Sequence, residues 1–493
     1  MSNSSNVRTR FAPSPTGYLH VGNIRTGLFA WLVARHFGGQ FILRLEDTDK
    51  KREVQGADQH LLDCLKALGV EWDEGFDIGG PYSPYRQSDR LDHYKTWAQK
   101  LIEDGRAYAD PYSAEEVQAF REQAQAAKKP FLYRNHRPTN PPAWDGSTPL
   151  RFKSDPKPYQ WHDLVMGDLS TGPEVIDDFI LIKSDGYPTY NFAHIVDDAE
   201  MEITHIIRGQ EFIASMPNYL NLYEALGQGT PTFATMPHIL GADGNKKLSK
   251  RDGAKDVLDY IREGVLPAAL TNFIASLGWN DGTEQEIFSR DELVAKFSLD
   301  RVQKSGARFD ERRLQWMNGH YIRELPLDEL YGKTTNVSMS KSAAHEEPRS
   351  YWPAIAAEYP EAYRKQVLSL VQERLKYLSE LPELTEFFFT DLPINPELIS
   401  SHKQLKKFEL SDLRAMLQQS RDMFASSDFS VEDLTGQLND LLEVTGQKPA
   451  VLFSLVRIAI TQCPASPGLA DTMHVLGKER SLARIDAQLA TLA

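Results

Sequence analysis

Two short segments of this chain carry residue types suited to phosphate chemistry. The first, His20-Val21-Gly22-Asn23, stands between a strand-like stretch and the amphipathic period that follows it. A helix beginning there would present unpaired N–H groups and a positive dipole end to an anion. Gly22 would let a ligand approach the backbone closely. A histidine can donate to phosphate oxygens as charge builds during transfer. The second segment is Lys246-Lys247-Leu248-Ser249-Lys250-Arg251, preceded by Gly241, Asp243 and Gly244. Small residues around clustered lysines suit a loop that closes over a triphosphate. Taken singly, each has a plainer reading: a turn histidine satisfied by a carbonyl, and a solvated basic turn.

The elements that must position these residues follow from periodicity. Val7 to Phe11 alternates like a strand, and Pro13, Pro15 and Gly17 break it into a loop. Ile24, Leu28, Trp31 and Leu32 recur at helical spacing over 22–36. Gly38-Gly39 ends that helix, and Phe41 to Leu45 forms a second strand running into the acidic loop Glu46-Asp47-Thr48-Asp49. Strand, helix, strand in about forty residues is the grammar of a parallel nucleotide-binding sheet. A helix is expected over 54–68, a polar one over 114–129, and a proline-rich run from Pro138 to Pro158 suggests an inserted module with extended connections. Sheet grammar returns at Phe179 to Ile182 and Ile203 to Ile207, and helical periods such as 366–381 and 412–424 dominate the C-terminal part. The expected division is a split α/β domain over 1–85 and 187–240, an α+β insert over 86–186, a segment 241–324 carrying the lysine loop, and an all-α region over 325–493.

Composition sets bounds. The chain has 493 residues, 41% of them hydrophobic, a net charge of −14 and two cysteines, Cys64 and Cys463. Disorder, a disulfide framework and a cysteine-rich zinc site are excluded. Apolar runs long enough to span a membrane are missing, so no membrane partner is expected. The polar start, Met1 to Asn6, lacks a signal peptide's apolar core, so a cytoplasmic location is expected. The acidic balance disfavours bulk polyanion binding but permits local basic islands. Two are present. Lys246, Lys247, Lys250, Arg251 and Lys255 outnumber Asp243, Asp252 and Asp256, and Arg301, Lys304, Arg308, Arg312 and Arg313 outnumber Asp310 and Glu311.

Taken together and in this order, the His-x-Gly turn, the insertion and the Lys-Leu-Ser-Lys loop resemble a class I aminoacyl-tRNA synthetase. Arg10 to Gly17, Arg44 to Asp49, Tyr85 to Ser88, Ser184 to Tyr190, Thr204 to Gly209, Leu314 to Asn318 and Leu476 to Arg480 are similar to the glutamyl/glutaminyl branch, in its bacterial glutamyl form, over nearly the whole chain. The resemblance implies a Rossmann-like parallel sheet with an inserted acceptor-binding module, then all-α anticodon-binding domains. It implies ATP with Mg2+, L-glutamate and tRNA(Glu) as partners, a monomer, and a first step that requires bound tRNA. His20, Lys247 and Lys250 would be catalytic, and His20, Gly22, Asn23, Lys247, Ser249 and Lys250 would bind ATP. Arg10, Ala12, Ser14, Glu46, Tyr190, His194 and Arg208 would bind glutamate, the arginines taking its side-chain carboxylate and Ser14 and Glu46 its amino group. Relatives carry smaller or amide side chains at His194, and some carry tryptophan at Phe212. Arg301, Lys304, Arg308, Arg312 and, for the anticodon, Arg374 would contact tRNA.

Glutamate is preferred over glutamine, because a buried arginine without an anion is costly. Many relatives hold zinc through insert cysteines. Here those positions read Asp110 and Tyr112, followed by Tyr133 and His136, so no structural zinc is expected and packing must hold the module. Alternatives of narrower scope are a form that also charges tRNA(Gln), a stand-alone glutamyl-queuosine synthase, a small-molecule adenylyltransferase and a non-catalytic tRNA-binding paralogue. The helices after 325 and the presence of His20, Lys250 and Arg208 weigh against the last three.

Overall fold

The computed structural model describes residues 6–248, 255–335 and 350–492. Two compact units divide the chain: one holds 1–260 and 267–314, the other 261–266 and 315–493. The strands, in chain order, are β1 (Arg8–Phe11), β2 (Gln40–Leu43), β3 (Glu74–Gly75), β4 (Ala107–Ala109), β5 (Leu150–Phe152), β6 (Tyr159–Asp163), β7 (Gly167–Thr171), β8 (Ile180–Ile182), β9 (His205–Gly209), β10 (Thr232–Met236), β11 (Ile239–Leu240) and β12 (Ala307–Arg308). The first unit's leading helices are α1 (Val21–His36), α2 (Ala57–Ala67), α3 (Leu91–Glu103), α4 (Ala114–Ala126), α5 (Tyr190–Glu200) and α6 (Met216–Ala225).

The main sheet runs β3-β2-β1-β9-β10-β6-β7, parallel except for β7. From β1 the chain moves outward to β2 and β3, then returns to β9 on the other side. The order therefore reverses between β1 and β9, and in open α/β sheets ligands bind at such a reversal, beyond the C-terminal strand ends. Alternation along β1 sorts its side chains. Thr9 donates to the Ala30 carbonyl of α1 at 2.8 Å, and the Phe11 ring lies beneath Gly27 of the same helix. Arg8 and Arg10 point the other way, toward the face covered by α3, α5 and α6, whose Tyr94, Phe192, Ile195 and Leu222 pack with Ile42 and Ile206.

The segment expected to lie wholly outside this sheet does not. Residues 159–171 return as β6 and β7, and β6 pairs with β10 through Phe233 and Asp163. The buried Asp163 carboxylate fixes this pairing: it accepts from Thr235 N–H (3.1 Å) and Thr235 Oγ1 (2.6 Å), and from the N–H groups of Val165 and Met166. Ile180–Ile182, inside the segment 86–186 read as the insert, joins the separate three-stranded antiparallel sheet β4-β5-β8.

Two buried carboxylates organise that small sheet. Asp110 accepts from Tyr133 and from Arg151 at 2.7 Å, with the Arg151 guanidinium 3.3 Å above the Tyr133 ring. Asp178 takes Tyr108 at 2.9 Å and Arg137 at 2.7 Å. His136, expected at the surface, is half-buried and stacks on Phe120 at 4.2 Å, against which Tyr112 packs edge-on.

The second unit is helical. The period read over 366–381 is broken there: the helix Glu361–Val371 ends, and short 3-10 turns at Gln372–Arg374 and Leu378–Glu380 precede the helix Leu381–Phe389. The break has a physical cause. Gln372 Nε2 donates to the carbonyls of Ile322 (2.9 Å) and Leu325 (2.8 Å), and the Glu380 carboxylate accepts the N–H groups of Lys376 and Tyr377. Among the described residues no helix is long and apolar enough to cross a membrane.

Candidate active site

A cavity of about 500 Å³ opens where the strand order reverses. Its wall is built from the C-terminal ends of β1, β9 and β10, the loop 12–20, the first turn of α1, and the hairpin that follows β11. Arg10, Ala12, Ser14, His20, Gly22, Asn23, Glu46, Tyr190, Arg208 and Lys247 all line it. Residues separated by more than 200 positions in sequence thus meet in one place. His194 lies fully buried behind Tyr190, their rings 4.7 Å apart. Ser249 and Lys250 fall outside the described residues.

His20 is the N-cap of α1, and its Nδ1 accepts the Gly22 N–H at 3.1 Å. Accepting at Nδ1 puts the ring proton of a neutral imidazole on Nε2, the atom that can then donate to a phosphate oxygen. This gives Gly22 a role other than open access for a ligand. A Cβ at position 22 would stand 3.0 Å from His20 Cε1 and 3.1 Å from Nδ1, so the glycine makes room for the imidazole itself. Lys247 is held by backbone pairing of Leu240 with Lys247 and by the Leu248 N–H donating to Ile239 O at 2.8 Å. Its half-exposed ammonium lies 4.0 Å from Glu211. Arg25, which pattern reading passes over, fastens the mouth by donating to the carbonyls of Pro237 and Leu277.

The floor is a network of buried charges. Arg10 Nε and Nη2 donate to Asp198 at 3.0 and 3.3 Å, and Arg44 donates to Asp198 at 2.8 Å and to Glu46 at 2.9 Å. Arg90 pairs with Asp197 and Glu200. Arg10 therefore does not offer its whole guanidinium fork to a ligand, as its motif suggests: Asp198 of α5 occupies two of its three nitrogens. Burial pushes the Asp198 carboxyl up, but Arg10 and Arg44 together hold it well below the usual range. Glu46 is raised, burial outweighing Arg44 and Arg10. Burial also drives His194 down to about 3, so it is neutral at physiological pH although Asp198 lies 3.7 Å away.

One cation has no such partner. Arg208 is 5% exposed, and its Nε, Nη1 and Nη2 make no hydrogen bond among the described residues. The guanidinium lies among the rings of Phe212, Tyr219 and Phe233, 5.3, 5.2 and 5.6 Å from their centroids. Those rings contribute cation–π attraction but accept no N–H bond. A buried guanidinium left thus is costly unless an anion enters. The cavity wall therefore combines an anion-seeking arginine with a helix N-terminus, a histidine and a lysine.

Fold and site together define a class I aminoacyl-tRNA synthetase, an enzyme that activates a carboxylate with ATP and passes it to tRNA. Residues 6–316 match the family described as tRNA synthetases class I (E and Q), catalytic domain, and residues 343–489 match an anticodon binding domain. The sequence is 40% identical to a glutamate–tRNA ligase of Dehalococcoides mccartyi, covering 99% of this chain and 98% of that protein, and 41% identical to one of Roseiflexus castenholzii, covering 99% and 97%. A solved glutamate tRNA ligase from Elizabethkingia meningosepticum, in complex with its amino acid, superposes with a TM-score of 0.86 at 31% identity, covering 99% of this chain and 100% of that one. The chain belongs to the bacterial glutamyl-tRNA synthetase family.

The remaining expected contacts are dispersed. Arg301, Lys304, Arg308 and Arg312 are all exposed along one stretch of the first unit. Arg374 is exposed in the second unit, on the 3-10 turn. Its charge adds to burial in lowering Arg457, which shows the two arginines to be electrostatic neighbours.

Proposed function

We infer that this enzyme joins L-glutamate to tRNA(Glu) in two steps. An α-carboxylate oxygen of glutamate attacks the α-phosphorus of ATP, and the bond to pyrophosphate breaks, leaving glutamyl-adenylate. A hydroxyl of the terminal tRNA ribose then attacks the glutamyl carbonyl, and AMP departs. The observation that carries the choice of amino acid is Arg208, buried in the cavity wall with three nitrogens that find no partner among the described residues. A side-chain carboxylate answers that charge; an amide brings none. Arg10 supplements it through Nη1, the nitrogen that Asp198 leaves. Glu46 and Ser14 face the amino group, and Tyr190 closes the pocket beside His194.

At the nucleotide end, His20 Nε2–H and Lys247, joined by Lys250, offset the charge that grows on the α-phosphate during attack. Gly22 and Asn23 offer N–H groups at the start of α1. ATP would bring its magnesium ion on its phosphates, where that ion would offset their charge. The cavity suits it as a phosphate-borne ion, since its carboxylates Glu46 and Glu211 face Arg44 and Lys247 and form no oxygen cage. The exposed cations Arg301, Lys304, Arg308 and Arg312 support a phosphate-backbone contact, and Arg374 beside Arg457 a contact with the anticodon arm.

Charging purified tRNA(Glu) and tRNA(Gln) with labelled glutamate tests the assignment. Acylation of tRNA(Glu) is the expected result. Failure to acylate either tRNA, with ATP and glutamate saturating, would overturn it.

A further inference from the structure

Outside the substrate cavity, three metal-ligating side chains converge. His60 and Cys64 sit four residues apart on α2, on one face of the helix, and Asp256 meets them from the segment leading into the helix Val257–Arg262. One donor atom from each lies within 4.8 Å of the others. His60 Nε2 is 2.7 Å from Asp256 Oδ2, and Cys64 Sγ is 3.6 and 3.7 Å from the two ring nitrogens of His60.

Surrounding contacts set the donors' orientation. Asp256 Oδ1 accepts the Leu258 N–H at 2.8 Å, which turns Oδ2 toward His60. The His60 ring stacks on Tyr18 at 4.5 Å, and Tyr18 belongs to the cavity wall. Such second contacts are what fix the ring orientation of a ligating histidine. Cys64 is 0% exposed, while the side chains of His60 and Asp256 keep 13% and 16%, so a cation can enter from their side and meet the thiol last.

We propose that His60, Cys64 and Asp256 form a binding site for a borderline-soft divalent cation of the Zn2+ type. One nitrogen, one sulfur and one carboxylate oxygen suit Zn2+ or Co2+ and not Mg2+ or Ca2+, which take oxygen. Three protein ligands leave a fourth tetrahedral position for water. On binding, the Cys64 S–H bond breaks, its proton goes to solvent, and the thiolate pair forms the metal–sulfur bond, so affinity rises with pH. The site has a structural consequence. Asp256 pairs through its backbone with His20, and the Val257 N–H donates to Leu19 O. A cation at Asp256 therefore braces α2 against the loop that ends in His20 and against the segment entering the helix Val257–Arg262. This site is independent of which amino acid the enzyme activates.

Titration of the full-length protein with Co2+ tests it, because a cobalt–thiolate bond has its own charge-transfer absorption. One equivalent per chain with that band is expected, displaced by Zn2+, and retained in C463S. C64A should lose the band, and H60N, which leaves the buried thiol in place, should bind at least about 100-fold more weakly. D256N should weaken binding at least about 10-fold. Absence of the band in the wild-type protein, its persistence in C64A, or unchanged affinity in H60N or D256N would overturn the assignment.

Discussion

The imbalance at Arg208 makes sharp demands on single substitutions. Removing one partner of a buried charge pair costs about 3–5 kcal/mol, so R208Q should lower kcat/KM for glutamate by about 100-fold or more. The same change removes an orphaned charge from the apoprotein, and its melting temperature should hold or rise; a clear fall would contradict the reading of Arg208. G22A should act differently. Its Cβ would displace the His20 imidazole, so kcat should fall while KM for glutamate stays near its original value. Steady-state kinetics separate the two cases. His194 gives a pH signature. The unfolded imidazole takes a proton near pH 6.5, the folded one only near about 3, so stability is lost as pH falls below about 6.5. Relative to H194N, the wild-type protein should lose about 2 kcal/mol in all between pH 6.5 and 4.5. Taking the difference cancels Glu46 and Asp197, whose raised carboxyls contribute with the opposite sign. Denaturant midpoints measured against pH for both proteins test this. The cavity residues are legible as types in motifs, but the claim of Asp198 on Arg10 is not, because only the packing of α5 on β1 brings those two together.

At the scale of elements, local periodicity is a good guide where a helix or strand satisfies itself. The helices expected over 22–36, 54–68 and 412–424 stand at Val21–His36, Ala57–Ala67 and Leu410–Ala425. It misleads where pairing is decided at a distance. Tyr159–Asp163 alternates only weakly, yet it enters the main sheet because Asp163 finds Thr235 seventy-two residues on. The helix period over 366–381 likewise ignores Gln372, whose amide is drawn to the carbonyls of Ile322 and Leu325. If Asp163 is what docks β6, D163A should leave Thr235 unpaired and lower stability by about 3 kcal/mol. Calorimetric melting would show this, and a change under about 1 kcal/mol would mean that the strand is held by other interactions.

For the molecule as a whole, a net charge of −14 coexists with exposed basic residues on the first unit. Affinity for tRNA should then be strongly salt-dependent, and R308E/R312E should weaken it while reducing the log–log salt slope by about one for each phosphate no longer neutralised. Binding isotherms at several ionic strengths check this; an unchanged slope would move the tRNA elsewhere on the surface. Arg208 awaits an anion, and tRNA-dependent ATP–pyrophosphate exchange with glutamate and with glutamine on the wild-type enzyme shows which amino acid supplies it. Exchange with glutamate alone is the predicted result, and exchange with glutamine at an equal or greater rate would contradict it.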